Sequence, residues 1–212
     1  MIRCLDIHTH HPAPQPEGVV NVSPSGFSPL EGQWYSLGIH PWATDNEILP
    51  IEWENFERLA RRQEVVAIGE CGIDKIKGGP LYRQMLVMKR QIDISEKLGK
   101  PLVIHDVKAH EIITGFKREF RPSQNWLVHG FRGKPTVMKM LTENGIYLSF
   151  GENFNEESLR LMPRELILAE TDESPLSIEA IIEHISDVRG ENMTGTILEN
   201  TSRFLGIEPI EN

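Results

Sequence analysis

The sequence predicts a parallel (β/α)₈-type barrel, because short apolar runs alternate with amphipathic helical patterns along most of the chain. Eight such runs are candidate strands: Arg3–Asp6, Val19–Val22, Trp34–Leu37, Val65–Gly69, Leu102–Ile104, Trp126–Val128, Ile146–Ser149 and Ile167–Ala169. The run VVAIG at 65–69 has no polar residue, as expected for a strand that is covered on both faces. With 212 residues, 39% of them hydrophobic, the chain can build the core of one domain spanning 1–212.

Helical periodicity is clear after the third candidate strand. Three stretches show it best: Trp53, Phe56 and Leu59 after Pro50; Met85, Met88 and Ile92 before Gly99; and Ile178, Ile181, Ile182 and Ile185 after Ser177. Apolar residues at this spacing predict helices that pack one face on the sheet. Ser177 is a candidate N-cap for the last of them.

The first two connections between strands differ from the others. HPAPQPEG joins the first two strands and SPSGFSPLEGQ joins the second to the third, and both are too short for a crossover helix. Pro12, Pro14 and Pro16 exclude a continuous helix in the first. We therefore expect the first two outer helices to be reduced or missing. Apolar surface left bare in this way would need cover, so a homo-oligomer is one expectation.

Composition restricts the classes of partner and compartment. A formal net charge of −9 disfavours broad, non-specific binding to a polyanion. Cys4 and Cys71 are too few for a disulfide framework or a Cys-rich zinc site, which favours a reducing, cytoplasmic setting. No apolar run is long enough to cross a bilayer, and the start MIRCLDIHTHH lacks the apolar segment of a signal peptide.

The first candidate metal ligands lie in the segment Asp6-Ile7-His8-Thr9-His10. Alternate side chains of a strand share a face, so His8 and His10 can point together into the mouth of a barrel. Two imidazoles held in this way make half of a metal site. Taken alone, the motif is also compatible with an ordinary polar strand end.

Four further candidates follow apolar runs, where parallel barrels place their active sites: Glu70, His105, His129 and Asp172. Each has a structural alternative, either as a helix cap or as a hydrogen-bonded histidine. Closure of the barrel would bring Asp172 beside the first strand, with His8 and His10. Together, these nitrogen and oxygen ligands suit two divalent ions, with Zn²⁺, Mn²⁺ and Mg²⁺ as the candidates.

With these motifs the sequence resembles the TatD family of metal-dependent hydrolases, which is related to the amidohydrolase superfamily. The matching stretches occur in family order and cover most of the chain. They are DIHTHH (6–11), GIHPW (38–42), IGECGID (68–74), PLVIH (101–105), VHGF (128–131), ETDESP (170–175) and ENTSRFLGI (199–207).

The resemblance implies a TIM-like barrel with a two-metal site, in a family whose members are commonly described as deoxyribonucleases. It implies that His8, His10, Glu70 and Asp172 hold one ion, and that Glu70, His105 and His129 hold the other. His40 would lie at the substrate phosphate. We further expect Asp6 and Asp74 to orient the groups around the ligands.

The chain departs from the family pattern at positions that would contact substrate. After the fifth strand it reads Asp106-Val107-Lys108, where the family often has an Arg two places after the histidine. After the sixth it reads His129-Gly130-Phe131-Arg132-Gly133, where the family tends to read His-Cys-Phe-Ser-Gly. Arg132 and Lys108 are candidate contacts to a phosphate oxygen. For Lys108 the alternative is plain surface charge.

Three functions remain open at this point. In the first, two ions activate a water that attacks a phosphodiester such as DNA, with Asp172 as general base. The second is an amidohydrolase-like reaction on a small ester, amide or phosphomonoester. The third is a non-enzymatic barrel, against which the complete ligand set argues, because each buried polar side chain would need another partner.

Overall fold

The computed structural model describes residues 4–11 and 18–207, and its centre is a closed barrel of eight parallel strands in chain order. The strands are β1 (Asp6–Thr9), β2 (Gly18–Val22), β3 (Trp34–Leu37), β4 (Val65–Asp74), β5 (Leu102–Val107), β6 (Trp126–Val128), β7 (Ile146–Phe150) and β8 (Ile167–Ala169). Asp6 pairs with Ala169, which closes β8 onto β1. The predicted barrel is confirmed.

Seven helices follow the strands from β3 onward in the described part of the chain. They are α1 (Pro50–Ala60), α2 (Leu81–Leu98), α3 (His110–Phe120), α4 (Pro135–Thr142), α5 (Glu156–Leu161), α6 (Ile178–Arg189) and α7 (Thr194–Leu205). Short 3₁₀ turns at Pro41–Ala43 and Arg164–Leu166 precede α1 and β8. The described helices contain no segment long and apolar enough to cross a membrane.

Local sequence explains where the predicted helices begin and end. Pro50 occupies the first turn of α1, where its missing N–H is not needed. Gly99 ends α2 with φ 67°, a left-handed conformation that glycine adopts without strain. The Ser177 side chain accepts a hydrogen bond from the backbone N–H of Ala180 and so caps α6, as predicted.

The core has two layers. The inner layer fills the barrel with one side chain from each of seven strands: Ile7, Val19, Ala67, Val103, Leu127, Tyr147 and Leu168. Phe204 and Leu205 of α7 pack against this layer. The outer layer lies between the strands and the surrounding helices. Because the interior is filled by side chains, a site can form only at the mouth.

Three strands end several residues later than predicted. The first continues to Thr9, which pairs with Val20 and Asp172, whereas its predicted start at Arg3 lies outside the described residues. The fourth and fifth continue beyond Gly69 and Ile104, because their backbones pair with each other as far as Asp74 and Val107. Polar side chains in these extensions hid the strand ends from a search for apolar runs.

The connection between β2 and β3, residues 23–33, contains turns and no helix, which confirms the predicted loop. The three prolines of the first connection, Pro12, Pro14 and Pro16, lie outside the described residues.

Candidate metal centre

One carboxylate, Glu70 of β4, lies at the centre of a cluster of histidines in the barrel mouth. Its side chain is 5% exposed. Oxygen Oε1 lies 2.7 Å from His129 Nε2, 2.8 Å from His105 Nδ1 and 3.1 Å from His40 Nε2. Burial opposes ionisation, but the surrounding imidazoles outweigh it and hold the pKa of Glu70 well below its ordinary value. Glu70 is therefore a charged acceptor for cations.

The other oxygen of Glu70 faces β1 and the segment that follows β8. Oε2 lies 3.6 Å from His8 Nε2 and 4.0 Å from His10 Nε2. Asp172 Oδ1 lies 3.7 Å from His8 Nε2 and 3.5 Å from His10 Nε2. These separations exceed hydrogen-bonding distance, yet they are close to the ~3.4 Å between ligands at about 2.1 Å around a tetrahedral ion.

His8 supplies the observation that best tests whether a cation fits. The residue is completely buried, and neither ring nitrogen has a hydrogen-bond partner among the described residues. Burial and the neighbouring His129 lower the pKa of His8 to about 3, so the ring is neutral with a free lone pair. A buried lone pair without a donor is a costly arrangement that a divalent cation would satisfy.

Asn21 of β2 fixes the Glu70 side chain. Its Oδ1 accepts the Glu70 backbone N–H at 2.8 Å and the Ser36 hydroxyl at 3.2 Å. Its Nδ2 donates to Glu70 Oε2 at 3.3 Å. Asn21 was not predicted as a site residue, since an asparagine within a short apolar strand is the only signal in the sequence.

Asp74 at the end of β4 contacts the His105 ring nitrogen that points away from Glu70. His105 Nε2 lies 3.4 Å from Asp74 Oδ2, which also accepts the Trp42 indole N–H at 2.7 Å. Burial would raise the pKa of Asp74, but hydrogen bonds from Trp42 and from the amides of Ile76 and Lys77 lower it. With its proton on Nε2, toward this charged carboxylate, a neutral His105 ring would offer its Nδ1 lone pair to a cation beside Glu70.

Glu170 orients His129 in the same way, although only its neighbour Asp172 was predicted as a site residue. Glu170 Oε1 lies 3.6 Å from His129 Nδ1, and the Ser149 hydroxyl donates to Oε2. Burial opposes protonation of His129, but Glu70 and Glu170 outweigh it and raise the pKa of His129 well above its ordinary value. The site thus favours positive charge between these two carboxylates.

His40 differs from the other histidines in its hydrogen bonds. Its Nδ1 accepts the Trp42 backbone N–H at 3.1 Å. In a neutral ring the proton must then lie on Nε2, which points at Glu70. An N–H cannot ligate a metal, so His40 is placed as a hydrogen-bond donor at the edge of the cluster.

Backbone contacts between β1 and the β8 end position Asp172. Its N–H donates to the His8 carbonyl, and its carbonyl accepts the His10 N–H. Asp6 stabilises the same turn, since its carboxylate accepts the N–H and hydroxyl of Thr171. Burial and the charge of Glu170 raise the pKa of Asp172. Asp6 therefore acts on the turn and contacts no imidazole among the described residues.

Comparison with known proteins identifies the family. The family model described as "TatD related DNase" matches residues 30–206. The chain belongs to this family. A TatD "3'-5' ssDNA/RNA exonuclease" from Escherichia fergusonii is 28% identical, covering 82% of this chain and 78% of the relative. An "uncharacterized metal-dependent hydrolase YabD" from Bacillus subtilis is 26% identical, covering 81% and 77%.

The crystal structure of YjjV, a TatD homolog from Escherichia coli K12, superposes with a TM-score of 0.83 at 18% identity and covers 97% of this chain and 99% of that one. It shares the barrel fold with this TatD family chain. Membership of the TatD family confirms the predicted metal-dependent hydrolase, and the cluster around Glu70 supports metal binding.

The two predicted cations of this TatD family member occupy different surroundings. Arg132 is exposed and lines a pocket of about 230 Å³ together with Asp172 and Glu170. Lys108 is exposed directly after β5, with φ 55°. No hydrogen bond or ion pair joins Lys108 to the cluster within the described part of the chain. Arg132 is thus the better placed of the two to meet a substrate.

Proposed function

We propose that this TatD family hydrolase cleaves phosphodiester bonds of single-stranded nucleic acid with the help of two divalent ions that Glu70 and the surrounding side chains would hold. The observation that carries the proposal is the position of Glu70. Its two oxygens face two different sets of imidazoles, so one buried carboxylate can serve two ions. The similarity to relatives named 3'-5' ssDNA/RNA exonucleases supports the substrate class.

The ligand assignment follows the two faces of Glu70. His8, His10 and Asp172 would hold one ion with Glu70. His105 and His129 would hold the other through their free or exchangeable nitrogens. When bound, the ions supply Lewis acidity, which lowers the pKa of water and polarises a phosphoryl oxygen.

The remaining residues bind, orient and move protons. Asp74 and Glu170 keep the rings of His105 and His129 in the orientation in which a lone pair faces Glu70. Asp172 would accept the proton of the attacking water, because its carboxylate is 31% exposed at the barrel mouth beside His8 and His10. His40 Nε2–H and the Arg132 guanidinium would donate to phosphate oxygens.

Hydrolysis tests the proposal. The chelated protein is reloaded with Mg²⁺, Mn²⁺ or Zn²⁺ and assayed on single-stranded DNA and RNA, duplex DNA, a phosphomonoester and a neutral p-nitrophenyl ester. We expect metal-dependent cleavage of the single strands and a loss of at least ~100-fold in Asp172→Asn. Turnover of the neutral ester alone would instead establish an amidohydrolase-like activity.

A further inference from the structure

A second cavity opens directly beside the metal centre. It has a volume of about 500 Å³ and lies between the ends of β2 and β3 and the helix α1. His40 and Glu70 form its inner wall, and Ala43, Ile48 and Ile51 contribute apolar surface. We propose that this cavity binds a nucleobase of the substrate strand, next to the bond that is cleaved. The inference rests on the proposed function and assigns the part of the substrate that this side of the mouth accepts.

Size and surface suit such a group. Small-molecule sites typically measure roughly 300–1,000 Å³, so the cavity can admit a base with part of its sugar. Ile51 is 65% exposed at the mouth of a polar site. A flat heterocycle gains free energy when its faces are buried against apolar side chains of this kind. Two rim hydroxyls, Ser23 and Ser25, can exchange hydrogen bonds with the polar edge of a base.

Charge distinguishes a base from a phosphate as the occupant. The described residues that line the cavity include the carboxylates Glu52 and Glu70 and no Lys or Arg. The Glu52 carboxylate would repel an anionic phosphate from the outer part of the cavity but not a neutral base, while His40 on the inner wall adjoins the metal centre, where the phosphate would bind. Arg132 lines a different pocket, on the β6–β8 side of the mouth. The two sides therefore divide the substrate, with the phosphate toward Arg132 and the base toward Ile48 and Ile51.

The short connection between β2 and β3 forms the rim of this cavity. Val22 ends β2, and Ser23, Pro24 and Ser25 continue the lining into the helix-free loop. The loop packs through its own turn, in which the Gly26 N–H donates to Ser23. A contact to the base in this position thus depends on the helix-free connection at residues 23–33.

Abasic substitution combined with a blocked cavity tests the assignment. A single-stranded oligonucleotide is prepared with each base in turn replaced by an abasic sugar, and kcat/KM is measured for the wild type, Ala43→Phe and Ala180→Phe. Ala43 is exposed in the cavity, whereas Ala180 is exposed on α6 and lines none of the cavities near the site.

We expect the wild type to lose about tenfold to a hundredfold in kcat/KM when one particular base is removed. Ala43→Phe should show that loss on the intact strand and no further loss on the abasic one, with unchanged metal stoichiometry and thermal unfolding. Ala180→Phe should behave as the wild type. The inference is overturned if no abasic position matters, or if Ala43→Phe cleaves the intact strand at the wild-type rate.

A binding measurement separates this inference from the proposed function. In ¹³C-methyl NMR spectra, adenosine and thymidine should shift the methyl signals of Ile48 and Ile51 in the wild type but not in Ala43→Phe. Ribose 5-phosphate should leave them unchanged. Shifts without any phosphodiester cleavage would refute the proposed function and retain the base site. Cleavage without nucleoside-induced shifts would refute the base site alone.

Discussion

Replacement of Glu170 by Gln should weaken metal binding although Glu170 is not a predicted ligand. Glu170 is completely buried, accepts the Ser149 hydroxyl and faces His129 Nδ1. In Glu170→Gln the amide oxygen can still accept from Ser149, which turns the amide N–H₂ toward His129. The Nδ1 atom must then accept, so a neutral ring carries its one proton on Nε2, the nitrogen that faces Glu70 and that would have to bind the metal.

The magnitude follows from this change of tautomer. Loss of a carboxylate that orients a metal-binding histidine typically weakens metal affinity by about 10–100-fold. That range corresponds to about 1.4–2.7 kcal/mol. Ser149→Ala keeps the carboxylate and removes one hydrogen bond to it, so its effect on metal affinity should be smaller than that of Glu170→Gln.

Isothermal titration calorimetry with Mn²⁺, on protein from which metal has been removed by chelation, measures the metal affinity. The ¹⁵N chemical shifts of the His129 imidazole report which of its nitrogens carry protons. Glu199→Gln, an exposed change on α7, is the matched control and should titrate as the wild type. If Glu170→Gln folds normally, keeps the wild-type tautomer and binds metal with wild-type affinity, Glu170 does not position His129.

Three further predictions concern single positions. Glu70→Gln should impair metal loading more than Asp74→Asn, because Glu70 contacts the imidazoles directly and Asp74 orients one from behind; equal metal loss, measured by elemental analysis, would show that the bridge is misassigned. Arg132→Ala should reduce kcat/KM on a phosphodiester by about tenfold to a hundredfold and spare a neutral ester, and an equal loss on both would make Arg132 structural. Gly38→Ala should lower the free energy of unfolding in urea by about 1–3 kcal/mol, because a Cβ at this position would meet the β4 backbone at 2.4–2.7 Å. The control Gly115→Ala should be neutral or stabilising, because a Cβ there would meet nothing within 4 Å.

The fold was largely predictable because the signals for it are local. Apolar runs such as VVAIG and helical periodicity before Gly99 reflect burial, and burial on both faces is specific to a covered parallel sheet. The ends of strands were harder, since backbone pairing in β4 continues to Asp74 through polar residues that the site requires. Where pairing with a neighbouring strand decides the end of an element, the local sequence does not predict that end.

The candidate site was likewise predictable only in part. Histidines and acids at strand ends are visible because their residue types are unusual beside apolar runs. Asn21, Ser149 and Glu170 escaped notice because their importance comes from contacts across 21 to 49 residues of chain. An asparagine in β2 or a serine in β7 is unremarkable until the closed barrel places it against Glu70 or Glu170.

Electrostatics at the mouth leads to a last prediction about salt. The protein has a net charge of −9, and Arg132 is the one predicted phosphate-binding cation that the structure places at the described site. A single-stranded ligand should therefore release few counterions, and the slope of log K against log salt should lie near −0.7 per phosphate contacted, about −0.7 to −1.4 in total. Bound divalent ions, rather than a basic surface, would supply the remaining attraction.

The slope is measured from the binding of an oligonucleotide with non-hydrolysable linkages, monitored by fluorescence anisotropy from about 50 to about 300 mM salt. A slope steeper than about −3 would mean that a basic surface outside the barrel mouth binds the strand. Unchanged affinity after chelation would mean that the metal centre does not hold the phosphate.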